Sequence, residues 1–178
     1  QIANRKSQIA NRKSQIANPK SQIANRTTMT TITPLTIDLY DNVLALWQAC
    51  EGVGLSSADE RDNIQFYLER NPGMSFVAWD GDLVVGAVLC GHDGRRGYIH
   101  HMAVHPDYRR RQIGGQLVDR CLDALHAIGL QKCHLFIFTE NEPGIAFWQA
   151  EGWQYRTDIA VMSKKVERLV QSSEIGPI

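Results

Sequence analysis

Apolar and polar positions along the chain follow two periods, and the points where the period changes mark out the elements. Thr30 to Leu35 is a short β-branched run ending near Pro34, which predicts a strand. Asp38 then precedes Leu39, Val43, Leu46, Trp47 and Cys50 at helical spacing, and Gly52 and Gly54 close that helix. Ser57-Ala-Asp-Glu60 has the form of a capping box, opening a second helix that carries Ile64, Tyr67 and Leu68 and stops at Asn71-Pro72-Gly73. Met74 to Trp79, the turn Asp80-Gly81 and Leu83 to Cys90 predict a hairpin, and after the loop Gly91 to Gly97 a further strand runs from Tyr98 to Val104. Pro106 closes that strand, because proline cannot donate to a ladder.

Ile113, Leu117, Val118, Cys121, Leu122, Leu125 and Ile128 form the strongest helical stripe, stopped by Gly129. Leu130 to Phe138 then predicts a strand, Pro143 to Glu151 a short helix closed by Gly152, and Trp153 to Met162 one or two last strands. The order is βααβββαβαβ, an α/β architecture with a ligand site where the long helix begins.

Residues 1 to 28 stand apart as four near-copies of a seven-residue unit, QIANRKS, QIANRKS, QIANPKS and QIANRTT. Each unit offers one Ile and one Ala, and Pro19 breaks the helical pattern, so a coiled coil is not expected and the segment reads as an extension outside the fold. It also hides the charge balance. The 178 residues carry 19 Lys+Arg against 19 Asp+Glu, but six of the basic residues fall in the repeat, leaving a net of −6 on the other 150. That argues against non-specific nucleic-acid binding. No stretch is long and apolar enough for a membrane span and no signal-peptide core is seen at the start, so a soluble cytoplasmic protein is expected. Cys50, Cys90, Cys121 and Cys133 lie far apart and read as small core residues rather than zinc ligands or disulfide partners.

The segment that carries chemistry is His105-Pro-Asp-Tyr-Arg109-Arg-Arg-Gln112-Ile-Gly114-Gly115-Gln-Leu117, which joins a buried strand to the long helix. Glycines in a helix's first turn let a ligand approach the backbone, and the unpaired N–H groups there favour an anion. Arg109, Arg110 and Arg111 add guanidinium donors suited to phosphate, although three adjacent side chains cannot all point inward. Neither a Walker A loop nor a dinucleotide fingerprint is present, and a solvated basic turn is the plain alternative.

Two motifs in order resolve that alternative. Arg109-x-x-Gln112-x-Gly114 resembles the pyrophosphate loop of the GNAT superfamily of acyl-CoA-dependent N-acyltransferases, with Gln112 where glycine is usual. Asn141-Glu-Pro-Gly144-Ile-Ala-Phe147-Trp148-Gln-Ala-Glu-Gly152-Trp153 resembles that family's later segment, with Trp148 where a tyrosine often protonates the leaving thiolate. The loop Gly91-His-Asp-Gly-Arg-Arg-Gly97 followed by His105-Pro looks like an uncharacterised bacterial branch of it.

The resemblance implies one acyltransferase domain over residues 29–166, with a polar tail over 167–178. It also implies a twisted mixed sheet of six to seven strands with about four helices. Acetyl-CoA is the implied co-substrate, lying where two parallel central strands splay. Met102, Ala103 and Val104 would bind its pantetheine and carbonyl, Arg109 through Gly115 (Arg110, Arg111, Gln112, Ile113 and Gly114 between them) its pyrophosphate, and Asn141, Phe147 and Trp148 would complete the site. The implied reaction is direct acetyl transfer to a primary amine of an unidentified acceptor. The alternative is an acyl-CoA-binding regulatory module without transfer activity. A homodimer is expected from family habit.

For proton transfer the candidates are His100 or His101 in the strand before the loop, expected on opposite faces because strand side chains alternate, with Glu140 and Tyr155 as alternatives. His92, His105, His126 and His134 show no metal-ligand spacing, and no metal is expected. Glu51, Asp59, Glu60 and Asp62 could rim a site for a cationic acceptor, but a solvated face is the simpler account. Trp47, Trp79, Tyr67 and Phe66 read as core or as lining of the acceptor side.

Overall fold

In the computed structural model, which describes residues 30–166, the first strand forms as β1 (Thr31–Pro34), and a 3-10 turn over Ile37–Leu39 leads into helix α1 (Tyr40–Ala49). The repeat of residues 1–28 and the expected tail from residue 167 lie outside the described residues. Helix α2 (Arg61–Arg70) follows, then β2 (Phe76–Asp80), β3 (Leu83–His92) and β4 (Gly97–Val104). Helix α3 (Ile113–Ala127) leads to β5 (Cys133–Leu135). The sheet order is β1-β2-β3-β4-β5, antiparallel except for the parallel pair β4 and β5. The chain divides into two compact units at the step from Phe138 to Thr139, and the second contains helix α4 (Glu142–Ala150).

The two faces of the sheet are covered by different helices. On one face Val43, Leu46 and Trp47 of α1 and Ile64 of α2 pack with Val77, Ala87, Leu89 and Ala103 of the strands. On the other face five members of the α3 stripe, Ile113, Leu117, Val118, Cys121 and Leu125, are buried, whereas Leu122 and Ile128, expected in the same stripe, are exposed at its edge and C-terminal end. Each buried side chain contributes about 1.5–3 kcal/mol of transfer free energy. Gly86 and Gly97 let α3 approach closely. A Cβ on Gly86 would sit 3.0 Å from Leu117 Cδ1, and one on Gly97 would overlap Leu125.

Four expectations need correction. The strands expected over Trp153–Met162 are absent, so among the described residues the sheet has five strands rather than six or seven; Arg156 instead turns onto Asp158 in a bend, at 2.6 and 2.7 Å. The strand expected over Leu130–Phe138 pairs only at Cys133–Leu135. The capping box sits one residue earlier than the sequence pattern indicated: Ser56 Oγ accepts from Ala58 N–H at 3.2 Å while Asp59 Oδ2 accepts from Ser56 N–H at 2.7 Å, on a 3-10 turn over Ser57–Asp59. Phe66, placed in the core or at the acceptor side, is 67% exposed, whereas Trp47 is buried.

Gly97→Ala drives a methyl group into the Leu125 side chain and is expected to lower stability by about 1–3 kcal/mol in denaturant unfolding, as overpacked cores do. An unchanged midpoint would show that α3 can shift away from β4 at no cost.

Candidate active site

Strand β4 carries one residue more than the partner it pairs with. Ala87 of β3 lies opposite Ala103 and Leu89 opposite His100, so Val88 alone faces both His101 and Met102. A bulge of this kind bends the strand, and His101 takes up the strain at φ 47°. Just before the bulge β4 loses its other neighbour. β5 pairs with Gly97, Tyr98 and Ile99 only, so His100 to Val104 have no strand on the β5 side, and Phe136 and Phe138 are 62% and 57% exposed. The β5-side edge of β4 from His100 onward is therefore open.

The bulge also overturns the expected separation of the two histidines, because the extra residue breaks the alternation and both rings come to the side covered by α1 and α2. His101 Nε2 lies 2.6 Å from Asp59 Oδ1, its ring packs 5.0 Å from that of Trp47, and Trp47 Nε1 donates to its carbonyl at 3.0 Å. A ring nitrogen that close to a carboxylate carries the proton, which leaves Nδ1 as the free lone pair. His100 stacks on Tyr98 and meets the edge of Tyr67. Burial, and then the neighbouring His101, hold its imidazole below its ordinary value of 6.5.

Asp59 is the residue that sequence reasoning misread as part of a solvated acidic face. Its side chain is 9% exposed, Oδ2 is spent on Ser56 N–H, and its backbone carbonyl accepts from Tyr40 Oη at 2.9 Å. The signal was the capping-box pattern itself, read one residue out of register. Glu51, Glu60 and Asp62 are exposed, as a solvated face requires.

After β4 the loop is anchored by Tyr108, whose hydroxyl donates to Asp80 Oδ2 at 2.9 Å and whose ring lies under the Arg111 guanidinium at 4.7 Å. Arg109 turns back, its Nε donating to the Val104 carbonyl at 3.3 Å, and all three arginines are exposed. Arg110 and Gln112 adopt left-handed φ of 65° and 62°. Gln112 makes no side-chain cap, and the first helical bond runs from Gln116 N–H to Gln112 C=O at 3.1 Å, leaving Ile113, Gly114 and Gly115 N–H without helical acceptors. With no acidic residue in that first turn, the positive end of α3 is uncompensated, as an anionic ligand requires.

In the second unit, Asn141 caps α4 by accepting from Gly144 N–H at 3.0 Å. Trp148 is buried edge-on between Phe147 and Trp153, at 5.1 and 4.9 Å. Glu140 is exposed and its carboxyl is held below the usual range by backbone and Thr139 hydroxyl hydrogen bonds; Tyr155 is 47% exposed. Of the four cysteines, burial pushes the Cys50 thiol up despite the neighbouring Arg109, and Cys133 up to about 12. Cys121 is raised further by its hydrogen bond with Cys90 and by burial.

Comparison with known proteins agrees with this geometry. Residues 40–153 match the model of the acetyltransferase (GNAT) family. An acetyltransferase of Pectobacterium atrosepticum is 33% identical over 138 residues, covering 77% of this chain and 94% of that one. One from Sodalis glossinidius is 30% identical over 137 residues, with the same coverage of 77% and 94%. Among solved structures, the PaiA N-acetyltransferase of Thermoplasma acidophilum in complex with coenzyme A superposes with a TM-score of 0.64 at 13% identity, covering 72% of this chain and 91% of that one. The chain therefore belongs to the GNAT family and is an acyltransferase, of a family that transfers acetyl groups from acetyl-CoA to amines. No helix among the described residues is long and apolar enough to cross a membrane.

Two predictions follow from the strained loop and the buried imidazole. Gln112→Gly removes a left-handed side chain and is expected to leave stability unchanged or raise it by up to about 1 kcal/mol, while the β-branched Gln112→Val lowers it by about 1–2 kcal/mol in thermal melts. His100 takes its proton less readily folded than unfolded, so its contribution to stability is complete above pH 6.5 and falls away as the pH drops below that value. His100→Gln is expected to flatten that part of the stability curve; an unchanged slope would mean that His100 titrates alike in both states.

Proposed function

We propose that this protein transfers the acetyl group of acetyl-CoA directly to a primary amine, with His101 as the base and Asp59 as the residue that fixes its tautomer. The observation that carries this reading is the 2.6 Å contact between His101 Nε2 and Asp59 Oδ1 on the bulge, beside the gap between β4 and β5. In this reading the pantetheine runs along Met102, Ala103 and Val104, and the pyrophosphate meets the N–H groups of Ile113, Gly114 and Gly115, with Arg109, Arg110, Arg111 and Gln112 around it. Backbone donors at the bulge stabilise the oxyanion.

The acceptor enters as an ammonium and gives a proton to Nδ1 of His101. The free amine attacks the thioester carbonyl, the tetrahedral intermediate collapses with cleavage of the C–S bond, and coenzyme A leaves as the thiolate. The second amine proton passes to the thiolate through water. Products are the acetamide, coenzyme A thiol and a protonated His101 that returns its proton to solvent. An acyl-enzyme is not invoked, because the raised thiols of Cys50, Cys121 and Cys133 are poor nucleophiles at neutral pH.

Calorimetry with acetyl-CoA is expected to give micromolar binding that Gly114→Asp abolishes and Arg109→Ala weakens. Binding untouched by Gly114→Asp would remove the ligand from the start of α3. In initial-rate experiments with free-thiol detection, intersecting lines are expected, and parallel lines or a trapped acetyl-protein would overturn direct transfer. His101→Gln is expected to cut kcat/KM by about 10²- to 10⁴-fold with acetyl-CoA affinity retained. Full activity in that variant would hand the proton to His100, Glu140, Tyr155 or water.

A further inference from the structure

A cavity of about 220 Å³ opens between the last turn of α2 and the turn joining β3 to β4, lined by Tyr67, Arg70, Asn71, His92, Tyr98 and His100 among others. His100, the chain neighbour of His101 on β4, forms part of its wall. Its polar groups divide into those already used and those left over. Asp93, the carboxylate of the lining, is capped: Oδ1 accepts from Arg95 N–H and Arg96 N–H, both at 2.7 Å, and Oδ2 from Tyr98 Oη at 3.2 Å. Asn71 is spent, its Oδ1 on His92 N–H and its Nδ2 on the Tyr67 carbonyl, each at 3.0 Å.

What remains are donors. Arg70 has no carboxylate within ion-pair distance among the described residues. His92 Nδ1 accepts from Gly94 N–H at 3.0 Å, so in the neutral ring Nε2 carries the proton. Tyr67 Oη is buried without a hydrogen-bond partner among the described residues. The last-turn position of Arg70 is explained by the helix dipole alone. The dipole does not explain a cavity whose one carboxylate, still charged, has both oxygens engaged by the chain's own donors while a guanidinium, an imidazole N–H and a phenol are among the groups left over.

We infer that this cavity receives a carboxylate, and that the acceptor is a small amine carrying a carboxylate, of the amino-acid class. This rests on the proposed transfer reaction for the amine half and on the cavity alone for the carboxylate half. A guanidinium pairs bidentately with a carboxylate, and a volume below that of drug-sized pockets suits a few heavy atoms.

The experiment has two arms. In the first, 15N-labelled protein without acetyl-CoA is titrated with acetate and with inorganic phosphate while the ring signals of His92 and His100 are followed. Saturable acetate shifts that Arg70→Gln removes support the site, whatever the outcome of activity assays; no shift, or shifts with phosphate only, overturn it. In the second, L-alanine with L-alaninamide, and L-phenylalanine with its amide, are compared as acceptors by thiol release. Arg70→Gln is expected to raise KM for the acids about ten- to a hundredfold with kcat little changed, to leave the amides within about twofold, and to be partly rescued by Arg70→Lys. Equal use of acids and amides by the parent protein, or equal losses in the variant, overturns the acceptor assignment. Loss of all transfer with acetate binding intact counts against the proposed reaction and in favour of the cavity.

Discussion

An extra residue in one strand of a ladder has to be absorbed somewhere, and in this sheet it is absorbed at His101. The rest of the arrangement depends on that mismatch. β5 follows β4 for three residues and stops at Ile99, next to the bulge, so among the described residues His100 to Val104 keep a free edge on that side. Because alternation is interrupted, two successive histidines reach the same side. A regular strand would have placed one of them against α3.

The strain is held from several directions. Trp47 supports His101 through its ring and through a hydrogen bond to its carbonyl, and α1 itself is fixed by burial against Ala87, Leu89 and Ala103. Leu117 and Leu125 press on the opposite face through Gly86 and Gly97. Rigid layers on both sides over-determine a backbone conformation that would be disfavoured in isolation. The same holds at the start of α3, where Arg110 and Gln112 are left-handed and Tyr108 is tied to Asp80. The donors of the first turn are thus set before any ligand arrives.

The sequence made legible whatever depended on local periodicity and on glycine. Helix α3 agrees in extent with its apolar stripe within a residue, the β2–β3 hairpin with its Asp80-Gly81 turn, and the first turn of α3 with Gly114 and Gly115. It misled wherever a long-range mismatch overrode local pattern. Nothing in Tyr98 to Val104 signals a bulge, since the extra residue is defined only against β3. For the same reason the early end of β5 could not be read from Leu130 to Phe138, a run apolar enough for a longer strand. Asp59 was misassigned because one residue of register separates a carboxylate on a solvated face from one turned inward. The cavity at Arg70 was invisible because it is assembled from a helix end and a turn more than twenty residues apart.

One more consequence lies in the two oxygens of Asp59. One closes the turn after α1 by accepting from Ser56 N–H, and the other holds His101. The carboxylate therefore belongs at once to a short surface turn and to a strained strand in the interior. A substitution at Asp59 would therefore take away the closure of the turn and the partner of the imidazole together, although the two contacts lie on different elements.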